Sequence, residues 1–148
     1  DQHHRVLRRG DVVLSSRDVV LSSRALRIPR RRLLIGIRLW PPAVLSAAVA
    51  AVAPGVEAKA VDDVCRSIIT EAGFGEAFRH GTGHGVGLDI HELPSIRKDN
   101  AAILQAGQVL TVEPGVYLPG VGGVRVEDLV VVTDSGCRPL TLSPKLSL

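Results

Sequence analysis

The stretch RHGTGHGVGLDIHELP, residues 79–94, holds three of the five histidines of this 148-residue chain. Glycines alternate through its first half, at positions 81, 83, 85 and 87. Because glycine is costly inside a helix, the stretch is predicted to be extended rather than helical. In an extended segment alternate residues share a face, which places His84 with Val86 and Leu88 on the side predicted to be buried. An imidazole on such an apolar face needs a partner.

Familiar motifs do not fit this stretch. The spacing of His80 and His84 would suit a ligand pair on a helix, but the glycines exclude that helix. His91 does not begin the helical zinc motif, because Ser95 stands where the second histidine is needed. Val86 occupies the place of the third glycine of a dinucleotide-binding loop. The histidines therefore have to be interpreted together with residues elsewhere in the chain.

From residue 43 onwards the chain shows regular secondary-structure patterns. Helices are predicted over residues 43–53 and 57–72, because Pro54-Gly55 stops the first and Gly73 is placed to end the second. Strands are predicted over residues 108–113 and 123–132, separated by turn-forming Pro-Gly pairs. Helices followed by strands predict an α+β domain, in which the helices cover a mostly antiparallel sheet.

Composition limits the kinds of protein that this chain can be. Its 45% hydrophobic and 3% aromatic content predict one domain with a core of Val, Leu, Ile and Ala, and argue against a platform for stacking bases. Cys65 and Cys137 match no paired metal-ligand spacing, which favours free thiols in a reducing compartment. The most apolar region, residues 33–56, is too interrupted to span a bilayer. A soluble, cytoplasmic chain without a membrane partner is predicted.

Residues 1–40 differ from the rest of the chain in charge and in repetition. They contain ten Arg against three Asp, whereas the other 108 residues have eight basic and twelve acidic side chains. A solvated segment is favoured over a nucleic-acid-binding arm, which would use the arginines at positions 27, 30, 31 and 32. The heptad DVVLSSR occurs at residues 11–17 and again at 18–24. The first copy predicts a strand, and the second copy either extends it, pairs with it or loops out.

Two carboxylates interrupt apolar strand patterns. Glu113 ends one predicted strand before Pro114, and Glu127 lies at the centre of another. A carboxylate that faces a core is costly unless it is paired or bound to a cation. Arg125 shares a face with Glu127, so an ion pair accounts for Glu127 but not for Glu113 or His84. One histidine and two glutamates are a suitable partial ligand set for Mn²⁺, Co²⁺ or Zn²⁺.

Three segments occur in an order and at separations typical of one enzyme family. They are HGTGHGVGLDIHELP at residues 80–94, VEPGVYLPG at 112–120 and GVRVEDLVVVT at 123–133. In these segments the chain resembles the carboxyl-terminal part of the pita-bread metallopeptidases, in the Xaa-Pro aminopeptidase and Xaa-Pro dipeptidase (prolidase) branch. The resemblance implies that residues 43–148 are the carboxyl-terminal part of a pita-bread domain, preceded by an atypical Arg-rich segment at residues 1–42.

The resemblance also implies a reaction, the hydrolysis of the Xaa-Pro bond of peptides by a water molecule that two divalent ions activate. It assigns His84, Glu113 and Glu127 as metal ligands, His80, His91 and Glu113 as catalytic residues, and Arg125 as the residue that orients the carboxylates. In this assignment Glu113 shuttles the proton, and His80 and His91 stabilise the developing oxyanion. The implied partner is a proline-containing peptide, with no nucleic acid. A homodimer is left open.

The chain departs from the family where the remaining two metal ligands, both aspartates, are expected. The first would fall on Ser16 or Ser23, and no Asp or Glu occurs between Asp18 and Glu57. Because only two carboxylates are left to offset the charge of the metal, one weakly bound ion or none is expected. Impaired hydrolysis follows, and the alternative is a catalytically inactive pita-bread fragment or a binding module.

Three explanations for this departure are open. A shifted reading frame between about residues 15 and 41 would explain why an Arg-rich stretch is flanked by family-like sequence. A lineage that abandoned catalysis is the second explanation. The third explanation is a site completed by other ligands, such as His3 or His4.

Overall fold

The computed structural model describes residues 11–12, 19–22, 41–119 and 122–143. Its helices are α1 (Pro41–Ala51) and α2 (Ala58–Glu71), followed by a short 3₁₀ helix at Gly75–Ala77. The strands of the described residues are β1 (Asp11–Val12), β2 (Val19–Ser22), β3 (Gly83–Gly85), β4 (Glu92–Ile96), β5 (Val109–Val112), β6 (Gly115–Leu118), β7 (Gly122–Arg125), β8 (Asp128–Thr133) and β9 (Gly136–Pro139).

The first 40 residues are described only at their two short strands. β1 belongs to the first DVVLSSR copy and β2 to the second, and the two pair antiparallel with Asp11 opposite Ser22. Of the options for the second copy, the structure therefore shows pairing with the first. His3, His4, Ser16, Ser23 and the arginines at positions 27, 30, 31 and 32 lie outside the described residues.

Both predicted helices are present within two residues of their predicted bounds. α1 has no charged side chain, and its Val44 and Leu45 are fully buried. The buried face of α2 contains an acidic residue, Asp62, among apolar ones. Gly73 follows α2 at a φ of 85°, a conformation that glycine adopts without strain, and the chain turns there as the sequence predicts.

The strands form two antiparallel sheets. One has five strands in the order β4-β3-β5-β8-β9, and the other has four in the order β1-β2-β7-β6. α1 packs against β5, β8 and β9, while α2 packs against α1 and β4. This arrangement of helices over antiparallel strands confirms the predicted α+β class.

The core lies between the two helices and the five-stranded sheet. It is almost entirely aliphatic, as the composition predicts, and its fully buried members include Val44, Leu45, Val61, Ile69, Leu110, Val112, Val130 and Val132. Phe78, 3% exposed, is an aromatic member. No helix within the described ranges is long and apolar enough to cross a membrane.

The predicted strand over residues 123–132 is wrong in one respect, since it consists of two strands. β7 ends at Arg125 and pairs with β6, whereas β8 begins at Asp128 and pairs with β5 in the other sheet. The backbone nitrogen of Val126 donates to the Pro114 carbonyl at 3.3 Å instead of continuing either ladder. Glu127 therefore lies in a corner between two sheets and not at the centre of a strand.

The predicted extended face of the histidine stretch is wrong beyond Gly85. β3 ends there, and the chain forms an exposed loop in which Val86 is 38% and Leu88 104% exposed. The Glu92 carboxylate accepts a hydrogen bond from the Asp89 backbone nitrogen at 2.9 Å, which closes the loop on itself. The Val86 backbone nitrogen still donates to the Val109 carbonyl of β5 at 3.1 Å, and beyond it the loop is held by this local polar bond.

Candidate active site

The two glutamates lie at the corners where the chain passes from one sheet to the other. Glu113 follows β5 and precedes β6, and Glu127 follows β7 and precedes β8. The hydrogen bond from Val126 to the Pro114 carbonyl ties these corners together. Glu113 is 9% exposed, so its carboxylate requires partners within the protein.

His84 is the first partner of Glu113. It lies in β3, whose Gly85 pairs with Leu110 of β5, and its Nε2 is 3.2 Å from Glu113 Oε1. The His84 Nδ1 is 2.9 Å from the Gly85 carbonyl, which can only accept, so Nδ1 carries the hydrogen. Nε2 and the carboxylate oxygen therefore need a proton or another cation between them.

Thr111 and Arg125 complete the surroundings of the Glu113 carboxylate. The Thr111 hydroxyl donates to Glu113 Oε1 at 3.2 Å and accepts from the His84 backbone nitrogen at 3.0 Å. Arg125 Nη1 is 3.4 Å from Glu113 Oε2, and its Nη2 is 3.8 Å from Glu127 Oε2. The guanidinium group thus joins the two carboxylates electrostatically.

His80 makes a separate pair with Tyr117. Its Nδ1 donates to the Gly81 carbonyl at 2.7 Å, so its Nε2 accepts from the Tyr117 hydroxyl at 2.9 Å. Burial lowers the pKa of His80 below its usual value, and the guanidinium groups of Arg125 and Arg66 lower it further. The hydrogen bond to the Gly81 carbonyl and the charge of Glu113 raise this pKa, but by less. The neutral imidazole is the form that this environment favours.

His91 lies beside His84 although seven positions separate them in the sequence. Their rings meet edge to face, with centroids 4.5 Å apart and planes at 67°. His91 is itself exposed on the loop after β3. The structure thus brings His84, His91, Glu113, Arg125 and Glu127 into one connected group, and the charges of Glu113 and Arg125 also act on His80.

The described residues do not make a complete metal centre. Within them, no group of three or more His, Cys, Asp or Glu side chains is close enough to hold an ion. His84 and Glu113 face each other, but the Arg125 guanidinium is between the carboxylates of Glu113 and Glu127, where it supplies a positive charge itself. Within the described residues, the site therefore offers one imidazole and two carboxylates, with a guanidinium group between the carboxylates.

Sequence reasoning missed several residues that shape this region. Asp62 had a detectable signal, since it is an acid within the apolar face of α2. Thr111 and Tyr117 had none, because a strand threonine or tyrosine is common in any sheet. Tyr117 lies close beside Gly115, where a Cβ would be 2.8 Å from the Tyr117 hydroxyl and would displace it.

The fold and the connected histidines and glutamates define a class of protein. Residues 43–134 match the sequence model of metallopeptidase family M24, and the chain belongs to this family. An uncharacterized peptidase of Staphylococcus saprophyticus is 54% identical over 94 residues, which are 64% of this chain and 27% of that protein. The Xaa-Pro dipeptidase of Pyrococcus furiosus is 50% identical over 94 residues, with the same shares. The chain thus spans 27% of the length of these relatives.

Solved structures agree with the family. The prolidase from Pyrococcus furiosus matches with a TM-score of 0.73 and 42% identity, over 79% of this chain and 34% of that one. The Xaa-Pro dipeptidase from Bacillus anthracis matches with a TM-score of 0.74 and 41% identity, over 77% of this chain and 32% of that one. The expected incomplete pita-bread fold is therefore confirmed.

Proposed function

We propose that residues 43–148 are the carboxyl-terminal part of an Xaa-Pro peptidase domain, and that residues 1–42 are a segment of different character. Membership of family M24 and the names of the similar dipeptidases support this proposal. The observation that carries it is the 3.2 Å approach of His84 Nε2 to Glu113 Oε1 at the junction of the two sheets. A nearly buried carboxylate beside a histidine is a candidate functional site, because the buried charge needs a proton or a cation to offset it.

The residues of this chain have the following proposed roles. His84 and Glu113, which face each other, would supply donor atoms to a divalent ion, Mn²⁺, Co²⁺ or Zn²⁺. Glu127 would join them as a ligand by moving its carboxylate from Arg125 toward the ion. His80 and His91 contact the peptide and stabilise the charge that develops on its carbonyl oxygen. Glu113 holds and transfers a proton at its carboxylate, and Arg125 keeps that carboxylate and the one of Glu127 oriented toward each other.

The metal-binding capacity of this chain is proposed to be small. Bound divalent metal supplies Lewis-acid chemistry in metallopeptidases, and the residues that hold it need enough negative charge to offset its own. Of the described residues, Glu113 and Glu127 are the carboxylates of the proposed site, and Arg125 already offsets part of their charge. We therefore expect one weakly bound ion or none, and hydrolysis far slower than that of a relative with both aspartates.

The proposed substrate is a proline-containing peptide. The proposed compartment is the cytoplasm, where the thiols of Cys65 and Cys137 would stay reduced. The alternative function is that of an inactive module that binds a proline-containing peptide without cleaving it. His80 and His91 would serve this alternative as well, because peptide contact does not require a metal.

Titration calorimetry with Mn²⁺ tests the proposal on the full chain. We expect at most one weakly bound ion, whose binding is lost in Glu113→Ala and kept in Glu71→Ala, a change of an exposed glutamate on α2. Hydrolysis of alanyl-proline should be slow and should fall further in Glu113→Ala.

Each outcome of this titration has a distinct meaning. Two tightly bound ions, both lost in Glu113→Ala, would contradict the impaired site and indicate ligands beyond the described residues. Absence of both binding and hydrolysis would favour the inactive module. Mn²⁺ binding that Glu113→Ala leaves unchanged would overturn the assignment of the site.

A further inference from the structure

We infer that Asp62 and Arg66 of α2 are positioning residues that hold the His80 imidazole in place for peptide contact. The inference rests on the proposed function, in which His80 touches the peptide. It adds a pair of residues that contacts neither the peptide nor a metal and that acts through the backbone on both sides of Gly81.

Asp62 anchors the segment on the carboxyl-terminal side of Gly81. Its side chain is fully buried, and its Oδ1 accepts from the Thr82 backbone nitrogen at 2.8 Å and from the Thr82 hydroxyl at 2.9 Å. It is also paired with Arg66, one helical turn along α2. A buried carboxylate is tolerated only with such a full set of partners.

Arg66 anchors the segment on the amino-terminal side of Gly81. Its Nη2 donates to the His80 carbonyl at 2.7 Å, and its Nη1 donates to the Phe78 carbonyl at 3.3 Å. The same guanidinium group lies 4.5 Å from the centre of the Phe78 ring. Arginine suits this place because its planar fork can serve a carboxylate, two carbonyls and an aromatic face together.

The two side chains therefore form four hydrogen bonds to the segment of residues 78–82. Two of the anchored groups, the His80 carbonyl and the Thr82 nitrogen, flank Gly81, whose own carbonyl accepts from His80 Nδ1. Fixing the peptide groups around Gly81 also fixes the Gly81 carbonyl. This carbonyl accepts the Nδ1 hydrogen of His80 and so selects the Nδ1–H tautomer of that ring. The Nε2 atom is then directed at the Tyr117 hydroxyl.

A buried ion pair is weak evidence of a purely stabilising role, since an apolar pair of similar volume often serves stability as well. Four hydrogen bonds from one helical turn to residues 78–82, three of them to backbone groups, are better explained by a need to hold the backbone beside His80 in one conformation. The position of α2 is itself set independently by its apolar face, which includes Val61, Cys65 and Ile69. Loss of Arg66 should therefore release His80 while the helix stays in place.

The test is nuclear magnetic resonance of the imidazole rings in the ¹⁵N-labelled full chain, with Arg66→Gln and Arg66→Lys as variants. The matched control is Arg97→Gln, because Arg97 is paired with Asp99 in an exposed arginine–carboxylate pair. Long-range ¹H–¹⁵N correlations report the tautomer of each histidine at a fixed pH. Urea unfolding of each variant reports global stability in parallel.

We expect Arg66→Gln to lose the single Nδ1–H pattern of His80, with little change at His84 and His91. Arg66→Lys, which keeps the charge but not the fork, should retain part of the pattern, and Arg97→Gln should retain all of it. Unchanged His80 signals in both Arg66 variants would overturn the inference. So would equal changes at all three histidines together with a large loss of stability, because that pattern describes a merely structural pair.

This readout does not depend on the proposed function. Adding alanyl-proline to the same samples tests the proposed function separately, since contact with the peptide should shift the His80 signals of the unmodified chain. If Arg66→Gln releases His80 but alanyl-proline shifts no histidine, the positioning of the ring stands and its purpose in peptide contact fails. If alanyl-proline shifts the His80 signals equally in the unmodified chain and in Arg66→Gln, the proposed function stands and the positioning role fails.

Discussion

His80 and His84 obey the same local rule, which decides the atom that each presents to the site. Each is followed by a glycine, and each donates its Nδ1 hydrogen to the carbonyl of that glycine, at 2.7 and 2.9 Å respectively. The Nε2 atoms are left to face Tyr117 in one case and Glu113 in the other. The repeated His-Gly pairs of the sequence thus determine which ring nitrogen carries the hydrogen, as well as where each ring lies.

The two cysteines are predicted to differ in reactivity. Burial raises the pKa of the Cys65 thiol to about 11, against an ordinary 9.0, so its reactive thiolate is scarcer by roughly a hundredfold at neutral pH. Burial also raises the pKa of Cys137, but that residue is only partly buried, and its Sγ donates to the Val49 carbonyl at 3.1 Å. Iodoacetamide should therefore label Cys137 in the folded chain and Cys65 only after unfolding, as measured by mass spectrometry over time.

A Cys137→Ser variant provides the control for this prediction. It should remove the labelling of the folded chain and leave a single labelled residue after denaturation. Rapid labelling of Cys65 in the folded chain would mean that α2 opens readily, against the full burial of its inner face.

At the scale of elements, strand β3 controls the site because it lies between β4 and β5. Its approach to β5 is very close: a Cβ on Gly83 would be 1.8 Å from the Thr111 carbonyl oxygen. This closeness lets the Thr111 hydroxyl reach both His84 and Glu113. The alternating glycines therefore serve packing between strands, and not only freedom of the backbone.

Gly83→Ala is predicted to destabilise the protein by about 3 kcal/mol, because the strand pair must separate to admit the methyl group. Gly136→Ala is a matched control, since a Cβ on Gly136 meets nothing within 4 Å and its φ is not positive. The control should lie within about 0.5 kcal/mol of the unmodified protein. Urea unfolding measures both, and equal stabilities of the two variants would contradict the close approach.

At the scale of the whole molecule, the site lies where the chain passes from one sheet to the other at two neighbouring corners. β5 continues into β6 and β7 into β8, and each passage changes sheets. The apolar core holds the five-stranded sheet against α1 and α2, and Leu110 lies fully buried in its central strand. Loss of core packing should therefore loosen the corners as well.

Leu110→Ala is predicted to cost about 2–5 kcal/mol of unfolding free energy, since it opens a cavity in the centre of the core. Leu142→Ala, at a residue that is 88% exposed, should cost less than about 0.5 kcal/mol. The comparison needs denaturant unfolding followed by circular dichroism. A small effect at Leu110 would mean that the core does not hold the sheet as described.

Much of the fold could be predicted from the sequence because its determinants are local. The bounds of α1 and α2 follow from proline, glycine and the spacing of apolar residues, and the α+β class follows from the order of the elements. The strand over residues 123–132 was mispredicted because the change of sheets after Arg125 depends on which distant strand pairs with each half. Apolar alternation alone carries no information about that pairing.

The sequence by itself determined the family, the aliphatic core and the histidines and glutamates that are proposed as the site. Only the tertiary structure decided that Glu113 and Glu127 lie in neighbouring corners joined by Arg125, and that Asp62 and Arg66 bind the backbone around His80. The reason is physical. Residue types and local spacing are properties of the chain, whereas the meeting of side chains from separate strands and helices is fixed by packing between elements that are distant in sequence.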